Sequence, residues 1–413
     1  MFSFIRDMNR KERSLLLTCF FAFFANGSLS LTLGSVMPDL KAAYGLNDTL
    51  SGLFLSAHSA GNLIAGFLSG LIPLYLGERK AIMLMSSLGF TGFVMMVVWG
   101  NPVWLLLAFA CTGLGRGSVT NFDNRMVNRL SGGNPAASNM LHSSFAIGAI
   151  LAPLAFLGLR NLLGWRIGLA FVILCGVISL CNFSRMRMEA DRPDRGNKTN
   201  STLVFLKNPS FLILAMMMFC YLCSEYAING WLVTYIQNKE SLLLAFSADG
   251  QEPSAAIRAY SQTMATLLWV VMLLGRLFCA WLSGRVSQKK IMMTSSFGVA
   301  AFFTFMLLSS GVGMVTVSVA GLGFCMAGIC PMIYSDAAIF TNAYPMATGA
   351  LLGIGSIGAI AMPTVVGAMA ETFGFTGGMS AILVSVCLLV VFAVLNVVVK
   401  TRRPVVADEM VAE

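Results

Sequence analysis

Apolar windows of about 20 residues recur along the whole chain, separated by short polar turns, and ~20 largely apolar residues are what one helix needs to cross a bilayer. Such windows predict helices near 14–37, 51–75, 81–100, 102–129, 135–159, 165–185, 209–236, 257–284, 290–310, 313–341, 345–371 and 375–400. Only 11% of the 413 residues are charged and 57% are hydrophobic, against roughly 25% charged in soluble proteins. Lipid is therefore the expected solvent. An open sheet leaves its edge unpaired in lipid, and these stretches are too long and continuous for the alternating strands of a barrel. The expected fold class is an all-α membrane protein with twelve transmembrane helices.

The formal net charge is +9, but the basic residues form no stripe of the kind that binds nucleic acid. They lie in clusters between the apolar spans. Twenty of the 27 Lys and Arg residues fall on one side of the predicted topology and five on the other, with Arg116 and Arg276 inside spans. The positive-inside rule then places both termini in the cytoplasm. Compact loops and short tails fit a monomer in a bacterial cytoplasmic membrane. The apolar stretch after Arg10–Arg13 is too long for a signal peptide's core and reads as a retained first helix. All ten cysteines sit in apolar spans, where Cys acts as a small hydrophobe. The Cys220-x-x-Cys223 pair lacks the second ligand pair of a zinc site and the strand of a redox motif.

The chain reads as two halves. Residues 1–185 form an N-terminal six-helix bundle, 186–208 a polar cytoplasmic linker and 209–413 a C-terminal six-helix bundle. Asn238–Pro253 reads as a second polar loop, on the outer side. Ile147-Gly-Ala-Ile-Leu-Ala-Pro153 recurs as Ile357-Gly-Ala-Ile-Ala-Met-Pro363, Gly113-Leu-Gly115 as Gly321-Leu-Gly323, and Leu68-Ser-Gly70 as Leu282-Ser-Gly284. The offsets are 210, 208 and 214, in the same order along both halves. Parallel six-helix repeats, pseudo-symmetric about an axis along the membrane normal, belong to one large transporter class.

The residues between the second and third helices, Gly70-Leu-Ile-Pro-Leu-Tyr-Leu-Gly77-Glu78-Arg79-Lys80, resemble the major facilitator signature, although Leu74 stands where that signature has Asp. A second pattern is similar to the fucose-permease-like sugar branch: Gly113, Gly115, Gly117 and Asn124, then Asn139-Met-Leu-His142-Ser-Ser-Phe145-Ala-Ile-Gly148-Ala with Pro153, then Glu225, Trp231 and Thr234-Tyr235. The resemblance implies a secondary transporter of sugars working by alternating access. Fucose permeases carry acids at places that here hold Gly34 and Thr120, so their coupling residues do not carry across.

Ionisable groups at membrane depth are functional candidates by default. Glu225 lies sixteen residues past Pro209, ~24 Å along a helix at 1.5 Å per residue, and is the leading candidate for proton coupling. His142 is a second, because imidazole titrates near neutral pH. Arg116 suits bidentate binding of an anionic group, or a pair with Asp123 or Glu225. Asn26, Asn124, Asn139, Asn229 and Tyr334 are candidate substrate contacts, and Trp231 a stacking surface for a sugar ring. Asp123 and Asp336, at an offset of 213, read as gating charges, with Arg125 and Arg129 as partners of the first. Arg276 reads as part of a cytoplasmic-side gating network with Arg285 and Lys289. The structural alternative for His142 is a buried hydrogen bond to a carbonyl, and His58 reads as structural. Gly148, Gly158, Gly358 and Gly367 read as sliding contacts between the halves. No metal or cofactor motif stands out, and the G-x-G-x-G of helix 4 lacks the strand and Lys of a nucleotide loop. The expected function is secondary active transport of a small polar solute, a sugar or sugar derivative first, with a proton or other monovalent cation as partner. An exporter of amphipathic compounds and a carrier of a small organic anion are the alternatives. An enzyme is not expected.

Overall fold

The computed structural model describes residues 8–131, 135–186, 203–247, 253–283, 285–341, 344 and 347–399. Among them there are helices and turns and no strand. Helix α1 spans Arg10–Tyr44, α2 Asp48–Leu76, α3 Glu78–Val98, α4 Pro102–Ser131 and α5 Pro135–Leu163. Helix α6 covers Trp165–Arg185 with a break at Leu169. Helix α7 is Pro209–Gln237, α8 Pro253–Ser283, α9 Gln288–Leu308 and α10 Val312–Asp336 with a break near Gly328. The last continuous stretch, Ala347–Val398, holds two helices, α11 (347–373) and α12 (375–398), because Gly374 inside it has φ 71° and ψ 172°. At 52 residues and 1.5 Å per residue, one straight helix there would far exceed a ~30 Å hydrocarbon core. Eleven segments among the described residues are long and apolar enough to span a membrane, the last being this double one.

Local chemistry sets several ends. Asn9 accepts from the Glu12 N–H while the Glu12 carboxylate accepts from the Asn9 N–H, both at 2.9 Å; this capping box starts α1 four residues earlier than expected. The helix runs through Pro38 and stops at left-handed Gly45, seven residues past the expected end. Pro102 opens α4 where its missing N–H costs nothing, and Asn101 caps the Val103 N–H at 3.0 Å. The outer segment expected as a loop contains an eight-residue helix, Glu240–Ser247. Most of the expected linker, 187–202, lies outside the described residues, as do 248–252 and the tail from 400.

Two compact units divide the chain. The first contains Met1–Arg195 with Leu232–Thr234 and Arg258–Thr266; the second contains Gly196–Trp231, Tyr235–Ile257 and Leu267–Glu413. Glycine lets helices approach closely inside each unit, where lipid gives no hydrophobic drive to pack. In the first, a Cβ on Gly148 would lie 2.0 Å from the Phe24 carbonyl, and one on Gly27 2.0 Å from that of Phe145. Ser28 Oγ donates to the Gly148 carbonyl across the same α1–α5 crossing. In the second, Gly358 of α11 meets α7 at the Phe219 carbonyl and Cys223 Sγ, 2.7 and 2.6 Å from a built Cβ. Gly148 and Gly358 therefore serve packing within their own units, whereas Gly158 has nothing within 4 Å.

Candidate functional site

In the second unit the side chains converge around Glu225, which is half-buried on α7. Tyr221, one turn earlier and 1% exposed, lies within electrostatic reach of Glu225, and its hydroxyl has no hydrogen-bond partner among the described residues. Cys330 and Tyr334 of α10 lie within electrostatic reach of Glu225, and Tyr226 within reach of Tyr334. Arg276 of α8 is within the same range of Tyr221 and Cys330. Three elements, α7, α8 and α10, thus bring one carboxylate, one guanidinium, three phenols and a thiol into one neighbourhood. This is a set that can bind hydroxyl groups and hold or pass a proton. Glu225 was expected from the sequence as a coupling residue and Tyr334 as a substrate contact, whereas Arg276 was expected in a gating network; Tyr221, Tyr226 and Cys330 were not expected. The signal for Tyr221 was available, since residues four apart share a helix face.

Arg276 has partners other than those expected for it. Its guanidinium contacts Met272 Sδ at 3.8 Å and lies 6.0 Å from the Trp269 ring. Arg285 instead stacks on Trp281 at 4.1 Å, and Lys289 donates to the Asn396 carbonyl at 3.0 Å. Asn229 accepts from Trp269 Nε1 at 3.2 Å. Trp231 is fully buried; its indole N–H donates to the Pro363 carbonyl at 3.0 Å and its ring lies 5.9 Å from Phe375. It ties α7 to α11 and α12, and its faces are taken by protein rather than presented to a sugar. Asp336 accepts from Asn396 Nδ2 of α12 at 2.9 Å.

In the first unit Asn26 of α1 is 3% exposed and works as a clasp onto α4: its amide donates to the Arg116 carbonyl at 3.3 Å and to Thr120 Oγ1 at 3.0 Å. Its Oδ1 has no partner among the described residues, and Asn26 lines a cavity of about 30 Å³ with Ser86 and Ser179, room for a water molecule. Arg116 is half-buried, its guanidinium 6.0 Å from the Phe145 ring. Asn124 donates to the Thr120 carbonyl of its own helix at 2.7 Å. His142 is exposed and meets Phe23 edge-on at 5.4 Å, so the buried alternative does not hold. His58 is buried and hydrogen-bonded to Thr112 Oγ1 at 2.9 Å. Asn139 lies on α5, its side chain outside the described residues.

The gating pairs expected for Asp123 do not form. Arg125 donates to the Ser69 carbonyl at 2.9 Å and stacks on Phe122, while Arg129 reaches Glu78 at 3.3 Å. Asp123 is 0% exposed, and neither of its oxygens has a hydrogen-bond partner among the described residues, so a pair with Arg116 is also missing. No cluster of three or more metal-ligating side chains occurs among the described residues.

Residues 15–250 match the family model of the Major Facilitator Superfamily. The chain belongs to this superfamily. Its relatives include the membrane protein MosC of Rhizobium meliloti, 22% identical over 357 residues covering 86% of this chain and 83% of that protein. An uncharacterised MFS-type transporter of Yersinia pestis is 22% identical over 361 residues, 85% and 87% of the two chains. Among solved structures, the nucleoside transporter NupG is similar with a TM-score of 0.72 at 16% identity, over 94% of this chain and 99% of that one. A bacterial homologue of the human lysosomal transporter Spinster, inward-facing and occupied, scores 0.76 at 15% identity over 94% and 97%. The superfamily fold is thus shown, twelve membrane helices in two six-helix bundles, and the chain is a multi-pass membrane transporter of this superfamily.

Proposed function

We propose that this facilitator is a proton-coupled secondary transporter of a small polar solute, a sugar or sugar derivative, working by alternating access of its two six-helix halves. The observation that carries this reading is the group around Glu225. Phenols such as Tyr226 and Tyr334, both half-buried, exchange hydrogen bonds with sugar hydroxyls, and a half-buried carboxylate among them can take up and release a proton within the same site. The fucose-permease-like pattern through Asn124, His142 and Glu225 supports a sugar, and NupG, a nucleoside transporter of the same fold, widens the choice to sugars joined to a base. His142, exposed on α5, is the second proton candidate.

The test is uptake of radiolabelled fucose and uridine into proteoliposomes with and without an imposed pH gradient. Wild type should accumulate one of them only with the gradient. Glu225→Gln should keep exchange of that probe but lose accumulation. Gradient-driven uptake by Glu225→Gln equal to wild type removes Glu225 from coupling.

A second reading, a carrier of a small organic anion, is favoured by Arg116, whose guanidinium sits half-buried on α4 beside Phe145. Competition of the uptake by organic acids, lost in Arg116→Gln, would select it.

A further inference from the structure

Asp123 is the most anomalous charge in the first unit. It sits on α4, 0% exposed, with both carboxylate oxygens unpartnered among the described residues. Its neighbours one turn away on α4 are Val119, Met126 and Val127, all buried, and they belong to an apolar cluster with Leu16, Phe23 and Phe183. The polar group turned toward it is the Cys19 thiol of α1, a weak donor. Several other ionisable groups on this and the adjoining helices are engaged elsewhere, among them His58 of α2, which bonds Thr112. On α4 itself, Arg125 goes to Ser69 and Arg129 to Glu78, while Arg116 lies beside Phe145. On α3, Glu78 holds Arg129 and Arg79 donates to the Ser184 carbonyl. On α5, His142 packs against Phe23. On α1, Glu12 is used in the capping box with Asn9.

The internal repeat supplies the comparison. Asp336 lies 213 residues on in the second unit, within the 208–214 range of the repeat offsets, and accepts from the Asn396 amide at 2.9 Å. At the same offset, the residue that stands for Asn396 in the first unit is Phe183, fully buried. One half supplies its carboxylate with an amide donor. The other offers it a thiol and hydrocarbon. A bare carboxylate there is strongly disfavoured unless it is neutralised, and no guanidinium or ammonium among the described residues hydrogen-bonds to it.

We propose that Asp123 is a second proton-carrying group of the transport cycle, holding its proton in the conformation described here and releasing it when α4 and α1 part and admit water or a cation to the carboxyl. The proton leaves Oδ1 or Oδ2 for that water, and no other bond changes. This rests on the proton-coupled reading above for its role in the cycle, but not for the state of the carboxyl.

Two measurements test it. In infrared spectra of the purified protein at neutral pH, a protonated-carboxyl C=O band should be present in wild type, vanish in D123N and shift in C19S, where a hydroxyl replaces the thiol. A D123N spectrum that loses only carboxylate bands overturns the proposal. Should D123N fail to fold, C19S still reports: a carboxyl band that does not move with this change overturns the assignment. In proteoliposomes with fucose and uridine as probes, D123N should retain exchange but lose gradient-driven accumulation. Accumulation equal to wild type, with the band assigned to Asp123, makes the group structural and overturns the coupling role. If wild type accumulates neither probe under the gradient, the proton-coupled reading for these probes falls and the coupling role of Asp123 with it, while the infrared band still decides whether the carboxyl is neutral.

Discussion

Arg160 grips Asp39 through three hydrogen bonds: Nε donates to both carboxylate oxygens at 2.9 and 2.8 Å, and Nη2 to Oδ1 at 2.6 Å. The pair joins the C-terminal ends of α1 and α5, the two helices that cross at Gly27 and Gly148. The fork of arginine suits this bidentate contact, whereas lysine offers a point charge.

Arg160→Lys should therefore lower the stability of the purified protein by about 1.5–3 kcal/mol, the range for hydrogen bonds to charged groups, and Asp39→Asn by a similar amount. Thermal unfolding in detergent reads both. The double variant should cost less than the sum of the two, because they remove one interaction. A melting profile of Arg160→Lys that overlays wild type would show that the contact contributes nothing measurable.

Gly148→Leu should abolish folded protein, because even a Cβ would overlap the Phe24 carbonyl at 2.0 Å and backbone cannot yield as a side chain does. Gly158→Ala, ten residues along the same helix, has open space and should leave expression and melting unchanged. Size-exclusion profiles of the two variants check this. A monodisperse Gly148→Leu would mean that α1 and α5 are free to separate.

Lys239 gives a pH dependence whose sign is fixed. Its ammonium is buried beyond the end of α7 and donates to Tyr235 Oη at 2.6 Å and to the Leu307 carbonyl at 2.9 Å. Burial lowers it from its ordinary 10.5. Between the lowered folded value and the unfolded one, the unfolded chain binds more protons, so stability rises with pH across that window. Below the window both states are charged and the burial penalty is fully present; above it both are neutral and the penalty is gone. The stability of wild type relative to Lys239→Met should thus increase as pH rises toward 10.5. A difference that stays flat in chemical unfolding across that range would show that the amine is not desolvated.

Hydropathy made the fold legible, because an uninterrupted apolar stretch of membrane length has few structural alternatives, and the paired motifs around Gly148 and Gly358 exposed the repeat. Part of the candidate site was legible for a related reason: Glu225, Tyr334 and Arg276 stand out as polar groups in apolar helices. What spacing along one helix does not encode is the partner supplied by another. Trp231 reads as a free aromatic surface until α11 brings the Pro363 carbonyl to its N–H. Asp123 and Asp336 read as equivalents until α12 offers Asn396 to one and the other is left without a hydrogen-bond partner among the described residues. Helix ends were set by caps rather than by hydropathy, which is why α1 begins at the Asn9–Glu12 box and outlasts Pro38.

A single residue, Gly374, separates α11 from α12. A joint with no spare chain has no slack to absorb a stroke. Under the alternating-access proposal, a tilt of one rod would be passed to the other through that one residue.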